Sequence, residues 1–207
     1  MRLLPYGLVS WLVEVDTTAE ATSLYDYLHA LRPTGAAALI TDLIPGARTV
    51  LLELDRPGLS RVEVAALLDR WHPGTPSGRT AADVVEIPVR YDGPDLAEVA
   101  RLRDVSEAAI VEAHTGSEFQ VAFCGFVPGF AYISGLPPLL HLPRLEHPRT
   151  AVPAGSVALA GGFTGVYPRR SPGGWRLLGH TDTLFWNADR EPPTLLAPGS
   201  RVRFTAV

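Results

Sequence analysis

Residues with binding chemistry are concentrated between Gly125 and Thr181, where glycine, proline, arginine and aromatic side chains follow one another closely. Arg144 and Arg149 each carry a planar guanidinium that can hold a carboxylate through two parallel N–H donors. Glycine lets backbone N–H groups approach a ligand, and proline fixes the shape of the loops. Together these residue types suit a small, planar ligand that carries an amide or a carboxylate.

This composition leaves two interpretations open. In the first, the aromatic side chains form the walls of a pocket, and hydroxyl groups such as those of Ser156, Thr164 and Ser171 add hydrogen bonds. In the second, the glycine and proline loops close the corners of a barrel, and the aromatic side chains fill its core. The aromatic residues concerned are Phe126, Phe130, Tyr132, Tyr167 and Trp175.

Arginine supplies all 18 basic side chains, and the sequence contains no lysine. This excludes a Walker-A lysine, a Schiff base with pyridoxal phosphate and a biotinylated lysine within these residues. The single cysteine, Cys124, excludes an internal disulfide and a cysteine-rich zinc site, and it favours a cytoplasmic location. The formal net charge of −4 argues against non-specific nucleic-acid binding. The short apolar runs predict neither a membrane span nor a signal peptide.

Three further motifs have a simple structural explanation. Residues 95–114 have the length of a helix-turn-helix, but the second helix would carry Glu107 and Glu112 towards DNA phosphates. A helical hairpin packed on the barrel is therefore expected. Cys124 lies in an alternating strand with no base beside it, which predicts a small buried side chain. The six histidines show no metal-ligand spacing, so no metal site is predicted.

The elements that must position these residues fall into two predicted domains. Residues 1–90 are expected to form an N-terminal α+β domain, in which Thr17 or Thr18 caps one helix and Ser60 with Glu63 forms a capping box for another. The order strand, helix, strand, strand, helix, strand is typical of a ferredoxin-like layer. A polar connection is expected at 72–82, and the strand patterns lie at 8–15, 36–44, 48–54 and 84–89.

Residues 91–207 are expected to form the second domain. Two helices begin near Asp95 and Ser106, and short strands separated by glycine and proline follow. This spacing is typical of a β-barrel or a sandwich. The strand patterns lie at 119–126, 157–160, 175–178, 183–186 and 201–204.

Several long segments of the second half also carry a resemblance to a known family. They are Gly125–Tyr132, Pro143–Thr150, Val152–Val157, Thr164–Pro168, Ser171–Trp175 and Pro192–Phe204. In this order they resemble the family of the 5-oxoprolinase B subunit, also called allophanate hydrolase subunit 1 and KipI-type kinase inhibitor. The sequence is similar, too, to one half of the carboxyltransferase domain of urea carboxylase.

The resemblance implies an α+β protein, with a ferredoxin-like N-terminal domain followed by a cyclophilin-like β-barrel. It implies a subunit of an ATP-dependent amide or lactam hydrolase that works with a homologous second subunit and, in the oxoprolinase case, a third. The complex would use ATP, while no cofactor is assigned to this chain alone. The alternative is a non-enzymatic inhibitor that binds a sensor histidine kinase. No nucleic-acid or membrane partner is expected.

Three positions depart from the family pattern. Ala151 and His180 stand where the family usually carries arginine, and Phe163 stands where it usually carries glutamine. Each replacement removes a long hydrogen-bonding side chain, and a ligand contact of that kind contributes about 1.5–3 kcal/mol. A changed ligand is therefore expected if these positions line the pocket.

The expected ligand contacts combine residue chemistry with family position, and no catalytic residue is assigned. Polar contacts are expected from Arg144, Arg149, Ser156, Tyr167 and His180. Aromatic walls are expected from Phe126, Phe130 and Trp175. Close backbone approach is expected at Gly129, Gly155, Gly173 and Gly174.

Overall fold

The computed structural model describes residues 1–32, 35–55, 58–73 and 84–207. The chain divides into two compact units, Met1–Ala82 and Asp83–Val207. The connection expected at 72–82 lies outside the described residues, except for its first two positions. Within the described ranges, no helix has the length and apolar character needed to cross a membrane.

In its described residues, the first unit has a four-stranded antiparallel sheet and two α-helices. Its elements are β1 (Arg2–Tyr6), β2 (Ser10–Glu14), α1 (Thr18–Leu31), β3 (Ile40–Pro45), β4 (Thr49–Leu54) and α2 (Arg61–Leu68). The strands follow the order β1-β2-β4-β3. Thr17 accepts a hydrogen bond from the Glu20 N–H, and Ser60 with Glu63 forms the expected capping box. Each such cap stabilises its helix by about 0.5–2 kcal/mol.

The edge of this sheet differs from the expected arrangement. The strand at Val84–Val89 was expected to complete the first layer, but it lies in the second unit. The edge position beside β2 belongs to β1, which reaches it through a tight turn at Gly7, where φ is 63°. A local hairpin closes at a smaller entropic cost than a pairing across seventy residues. The ferredoxin-like order is therefore not confirmed.

The second unit is a nearly closed barrel with a helical hairpin. Its elements are β5 (Val84–Val89), α3 (Leu96–Arg103), α4 (Glu107–Thr115), β6 (Phe119–Cys124), β7 (Ala131–Ser134), β8 (Arg149–Val152), β9 (Ser156–Ala160), β10 (Phe163–Val166), β11 (Ser171–Gly173), β12 (Arg176–His180) and β13 (Arg201–Ala206). The main sheet has the order β12-β9-β10-β7-β6-β13-β5. The backbones of Arg90 and His180 exchange two hydrogen bonds of 2.9 Å, which bring its two edge strands together.

One predicted strand is absent from the described part of this barrel. Residues 183–186 form no strand, and Trp186 makes a single bridge to Thr194. The Thr183 N–H donates instead to the Thr181 hydroxyl at 3.2 Å, so a local side-chain bond replaces a ladder bond. The strands β8 and β11 stand apart from the barrel sheet as a two-stranded ribbon.

The helical hairpin packs on the barrel as expected. Helices α3 and α4 contact each other, and they contact β12 and β13, respectively. Ile110 of α4 joins Phe119, Val202 and Phe204 in the buried core. The hairpin is therefore a structural cover for the barrel.

A buried histidine connects this hairpin to the barrel interior. His114 is fully buried, its Nδ1 lies 2.7 Å from the Tyr91 hydroxyl, and its Nε2 lies 2.9 Å from the Thr164 hydroxyl. Thr164 donates its own proton to the Ala158 carbonyl, so Nε2–H of His114 donates to Thr164 and Nδ1 accepts from Tyr91. Burial lowers the pKa of His114 from 6.5 to about 3.

We expect this histidine to make the stability of the protein depend on pH. Between pH 6.5 and 3, the unfolded chain carries a proton at His114 that the folded protein does not. The contribution of His114 to the free energy of unfolding is therefore fully present above pH 6.5. It falls by about 1.4 kcal/mol per pH unit as the pH drops through this window. Urea unfolding of the wild type between pH 7.5 and 4.5 measures the slope.

The variant His114→Gln should lose this part of the slope, whereas His29→Gln, which changes an exposed histidine of α1, should keep it. The imidazole carbon resonance of His114 gives a second measurement that does not require a variant to fold. A titration of that resonance near pH 6 would contradict the expectation.

Candidate functional site

The predicted ligand residues lie mainly around two separate hollows of the second unit. We call the first the aromatic slot; it has a volume of about 60 Å³ and is lined by seven of the expected contacts. These are Phe126, Phe130, Arg144, Tyr167, Gly173, Gly174 and Trp175. We call the second the Arg149 hollow; it has a volume of about 470 Å³ and includes Arg149, Ser156 and His180. The residues therefore do not surround one common pocket.

The aromatic slot is built from rings that meet edge to face. The Phe130 ring lies 5.4 Å from the Trp175 ring at 83° and 5.3 Å from the Tyr167 ring at 71°. Such pairs stabilise by about 0.5–1.5 kcal/mol beyond the burial of their area. Phe130, Tyr167 and Trp175 are buried, so the walls of the slot are fixed. The same rings fill a core cluster and line the slot.

A glycine keeps the Tyr167 hydroxyl accessible from the slot. A Cβ atom at Gly173 would lie 2.2 Å from this hydroxyl, which no real contact allows. Burial raises the pKa of Tyr167, while a backbone N–H from Trp175 and the charges of Arg144 and Arg149 oppose the rise. The hydroxyl is therefore protonated at neutral pH and can donate.

The rim of the slot carries an exposed aromatic residue in a strained turn. Phe126 has a φ of 73°, and across it the Val127 N–H donates to the Gly125 carbonyl at 2.9 Å. This is a γ-turn of the uncommon, strained kind. A side chain in this conformation costs about 1–3 kcal/mol, and strain of this kind is concentrated at functional sites. The turn holds the Phe126 side chain 55% exposed.

The Arg149 hollow is organised by a buried carboxylate. Asp95 accepts a hydrogen bond of 2.6 Å from Nη2 of Arg149 and one of 2.7 Å from the Leu177 N–H. The sequence predicts Asp95 as the start of a helix, and it does precede α3, but its side chain makes no capping bond. No sequence pattern indicated its pairing with Arg149. Since Nη1 of Arg149 is buried without a partner, the guanidinium is held from one side only.

His180 lies at the edge of the same hollow with both ring nitrogens engaged. Its Nδ1 lies 2.9 Å from an Asp92 carboxylate oxygen, and its Nε2 lies 3.3 Å from Nη1 of Arg90. Carboxylate only accepts and guanidinium only donates, so the ring donates from Nδ1 and accepts at Nε2. Ser156 pairs with His180 across β9 and β12, but the two side chains share no hydrogen bond. This is not the geometry of an activated serine.

Two of the predicted glycines lie outside both hollows. Gly155 has a φ of 79°, its N–H donates to the Tyr167 carbonyl at 2.8 Å, and a Cβ there would meet the Thr181 carbonyl. Gly129 has a φ of 82° and packs against Trp186 in a third depression of about 480 Å³, which we call the Trp186 groove. Neither glycine lines the slot or the Arg149 hollow.

The three departures from the family pattern are divided between sites. Ala151 and His180 both line the Arg149 hollow. Phe163 lies elsewhere, in an aromatic cluster where its ring is 5.5 Å from that of Phe123 and 5.8 Å from that of Tyr132. Two of the three replacements therefore change the lining of one hollow.

Cys124 differs from the expected buried side chain. It ends β6 as an exposed residue beside the Trp186 groove, and its sulfur lies 3.8 Å from the Leu196 carbonyl. The surrounding protein raises the pKa of the thiol to about 11, so it is not a nucleophile at neutral pH. Across the ranges that the structure describes, no group of three or more metal-binding side chains comes together.

The comparison with known proteins agrees with this architecture. A family described as carboxyltransferase domain, subdomain C and D, matches residues 1–196. The 5-oxoprolinase B subunit of Escherichia coli O157:H7 is 42% identical over 168 residues, which cover 80% of this chain and 77% of that protein. The fold and the family match thus define a carboxyltransferase-type domain. The chain belongs to the carboxyltransferase subdomain C and D family, and within it to the group of 5-oxoprolinase B subunits.

Solved structures extend the comparison. The crystal structure of TTHA0988 is 40% identical with a TM-score of 0.77, and the match covers 96% of this chain and 40% of that one. The urea amidolyase of K. lactis matches with a TM-score of 0.67 over all of this chain and 16% of that protein. At 18% identity, this second match shows the fold alone.

We expect Asp95 to be required for the stability of the second unit. The variant Asp95→Ala removes the acceptor of Arg149 and of the Leu177 N–H and leaves both donors without a partner. We expect a loss of about 2–4 kcal/mol in the free energy of unfolding. The matched control Asp182→Ala, which changes an exposed carboxylate, should shift it by less than about 0.5 kcal/mol. Urea unfolding measures both, and equal effects would contradict this role.

Proposed function

We propose that this chain is the binding subunit of an ATP-dependent, oxoprolinase-type hydrolase and acts with a homologous second subunit. The identity of 42% to a protein named as the B subunit of 5-oxoprolinase carries the proposal. The same name supports the hydrolase subunit over the sensor-kinase inhibitor. A third subunit, ATP used by the complex, a cyclophilin-like type of barrel and a cytoplasmic location belong to the same proposal.

The chemistry of the described side chains supports a binding role rather than a complete catalytic one. The Cys124 thiol is protonated, and both ring nitrogens of His180 have partners. The sequence contains no lysine to hold nucleotide phosphates. In this proposal, activation by ATP and bond cleavage use groups that lie outside the described residues.

We place the substrate in the Arg149 hollow. Its volume of about 470 Å³ admits a lactam or a small amide, whereas the aromatic slot of about 60 Å³ does not. Ser156 is buried and lines the hollow, and its hydroxyl has no hydrogen-bond partner among the described residues, so it is free to bind an amide. Arg149 lines the same hollow, and beside its ion pair with Asp95 it keeps one N–H donor, Nη1, without a partner.

The substitutions in this hollow indicate how its ligand is held. Ala151 leaves space where the family usually carries arginine, and His180 is shorter and turned towards Asp92. Arg149 is then the guanidinium that lines this hollow. A ligand with one anionic or strongly polar group fits this lining better than one with two.

Expression together with the adjacent coding sequence tests the proposal. We expect the two chains to purify together and to convert 5-oxoproline to glutamate only when ATP is present. Ser156→Ala should lower kcat/KM about 10-fold or more, since a lost hydrogen bond in a closed site costs about 1.5 kcal/mol. The control Thr150→Ala changes an exposed side chain beside Arg149 and should retain full activity.

Two results would overturn the proposal. The first is a stable complex with no ATP-dependent hydrolysis of 5-oxoproline or of any simple amide. The second is a chain that alters the autophosphorylation of a sensor kinase and binds no homologous partner. If Ser156→Ala and Thr150→Ala lower kcat/KM equally, the substrate does not bind in the Arg149 hollow.

A further inference from the structure

The aromatic slot presents hydrogen-bond donors inside apolar walls. Arg144 lines the slot, and within the described ranges its guanidinium has neither an ion pair nor a hydrogen bond. Tyr167 is 2% exposed, its oxygen receives the Trp175 N–H, and its own proton has no acceptor among the described groups. The Gly174 carbonyl at the same place is already used by the Leu145 N–H, at 2.7 Å. A charged donor and a neutral donor that both lack a protein acceptor favour an anionic ligand.

The segment of the chain that supplies most of the slot lining is rich in positive charge. Residues 143–176 contain five arginines and one carboxylate, Glu146, in a chain whose net charge is −4. Arg149 and Arg176 are compensated by Asp95 and Glu98, at 2.6 Å and 3.2 Å. The remaining three, Arg144, Arg169 and Arg170, form no ion pair with any described residue. Of these three, Arg144 lines the slot, so its charge favours an anion there.

The size of the slot selects the part of the ligand that enters. A volume of about 60 Å³ is about twice the share of one molecule in liquid water. It admits a flat carboxylate between the rings, and the rest of the ligand must remain outside. There it meets Phe126, which the strained turn holds 55% exposed at the rim.

We propose that the aromatic slot is a carboxylate-recognition site, in which Arg144 and Tyr167 bind the carboxylate and Phe126 contacts an apolar body attached to it. Gly173 is part of the site, because any side chain there would displace the Tyr167 hydroxyl. The site is separate from the Arg149 hollow and does not depend on the hydrolase assignment. The carboxylate can come from a free small acid or from the C-terminus of a polypeptide.

Tryptophan indole resonances of the full chain give a direct test. The chain has four tryptophans, and the Trp175 signal is identified by its loss in Trp175→Phe. We expect benzoate to shift this signal saturably at low ionic strength, and benzamide, its neutral analogue, to leave it unchanged. Binding of both with equal affinity, or a shift confined to Trp186, would overturn the proposal.

Matched variants assign the donors. Arg144→Gln should weaken benzoate binding about 10-fold or more, and Tyr167→Phe should weaken it about 5-fold or more, because each removes one bond to an ionised group. Arg169→Gln removes an equal charge from outside the slot and should leave the affinity within about 2-fold. Arg144 is exposed, so its variant is expected to fold. Unchanged affinity in Arg144→Gln would refute the assignment.

Two further probes distinguish the sources of the carboxylate. One is an acetylated tetrapeptide ending in phenylalanine with a free carboxylate, and the other is its C-terminal amide. If the acid peptide binds more tightly than benzoate and the amide peptide does not bind, the natural ligand is the C-terminus of a polypeptide. If the acid peptide binds more weakly than benzoate, the natural ligand is a free small acid. If the wild-type chain binds benzoate but its complex does not hydrolyse 5-oxoproline, the result counts against the hydrolase proposal alone.

Discussion

The carboxylate of Asp95 ties together the parts of the barrel unit that form the candidate sites. It follows the strand-to-helix connection before α3, and it receives the Leu177 N–H of β12 and the guanidinium of Arg149 on β8. Three elements that are distant in sequence thus meet at one buried acceptor. A buried charge of this kind is tolerated because each of its oxygens has a donor.

This tie also relates the two hollows. Arg149 faces Gly173 across the ribbon of β8 and β11, and Gly173 lies directly against the Tyr167 hydroxyl. Arg149 and Gly173 are therefore neighbours on one ribbon, which contributes to the Arg149 hollow and to the aromatic slot. Two hollows with different linings thus share one support, and a shared support of this kind positions side chains with little cost in flexibility.

The sequence predicted the parts of this arrangement that depend on local chemistry. The Ser60 and Glu63 capping box, the helical hairpin and the grouping of Arg144, Phe130, Tyr167 and Trp175 are all present. Caps and hydrophobic spacing act over a few residues, so a single sequence contains them.

The parts that were missed depend on distant pairings. The strand β5 pairs with β13, more than a hundred residues away, and Asp95 pairs with Arg149 across 54 positions. No local pattern encodes such a choice, because several strands and several arginines are equivalent until the chain has folded. The same reason explains why Arg144 and Arg149, only five residues apart, face different hollows.

The parallel ladder between β5 and β13 has a consequence for the order of assembly. During synthesis on the ribosome, residues 84–89 emerge first among the barrel strands, and residues 201–206 emerge last. Until β13 emerges, the end of β5 has one backbone bridge, from Arg90 to His180. Ile87 and Val89, which are fully buried in the finished barrel, cannot yet pack against β13. The barrel therefore cannot close step by step during translation, because β5, its first strand, joins the sheet only by pairing with β13, its last strand.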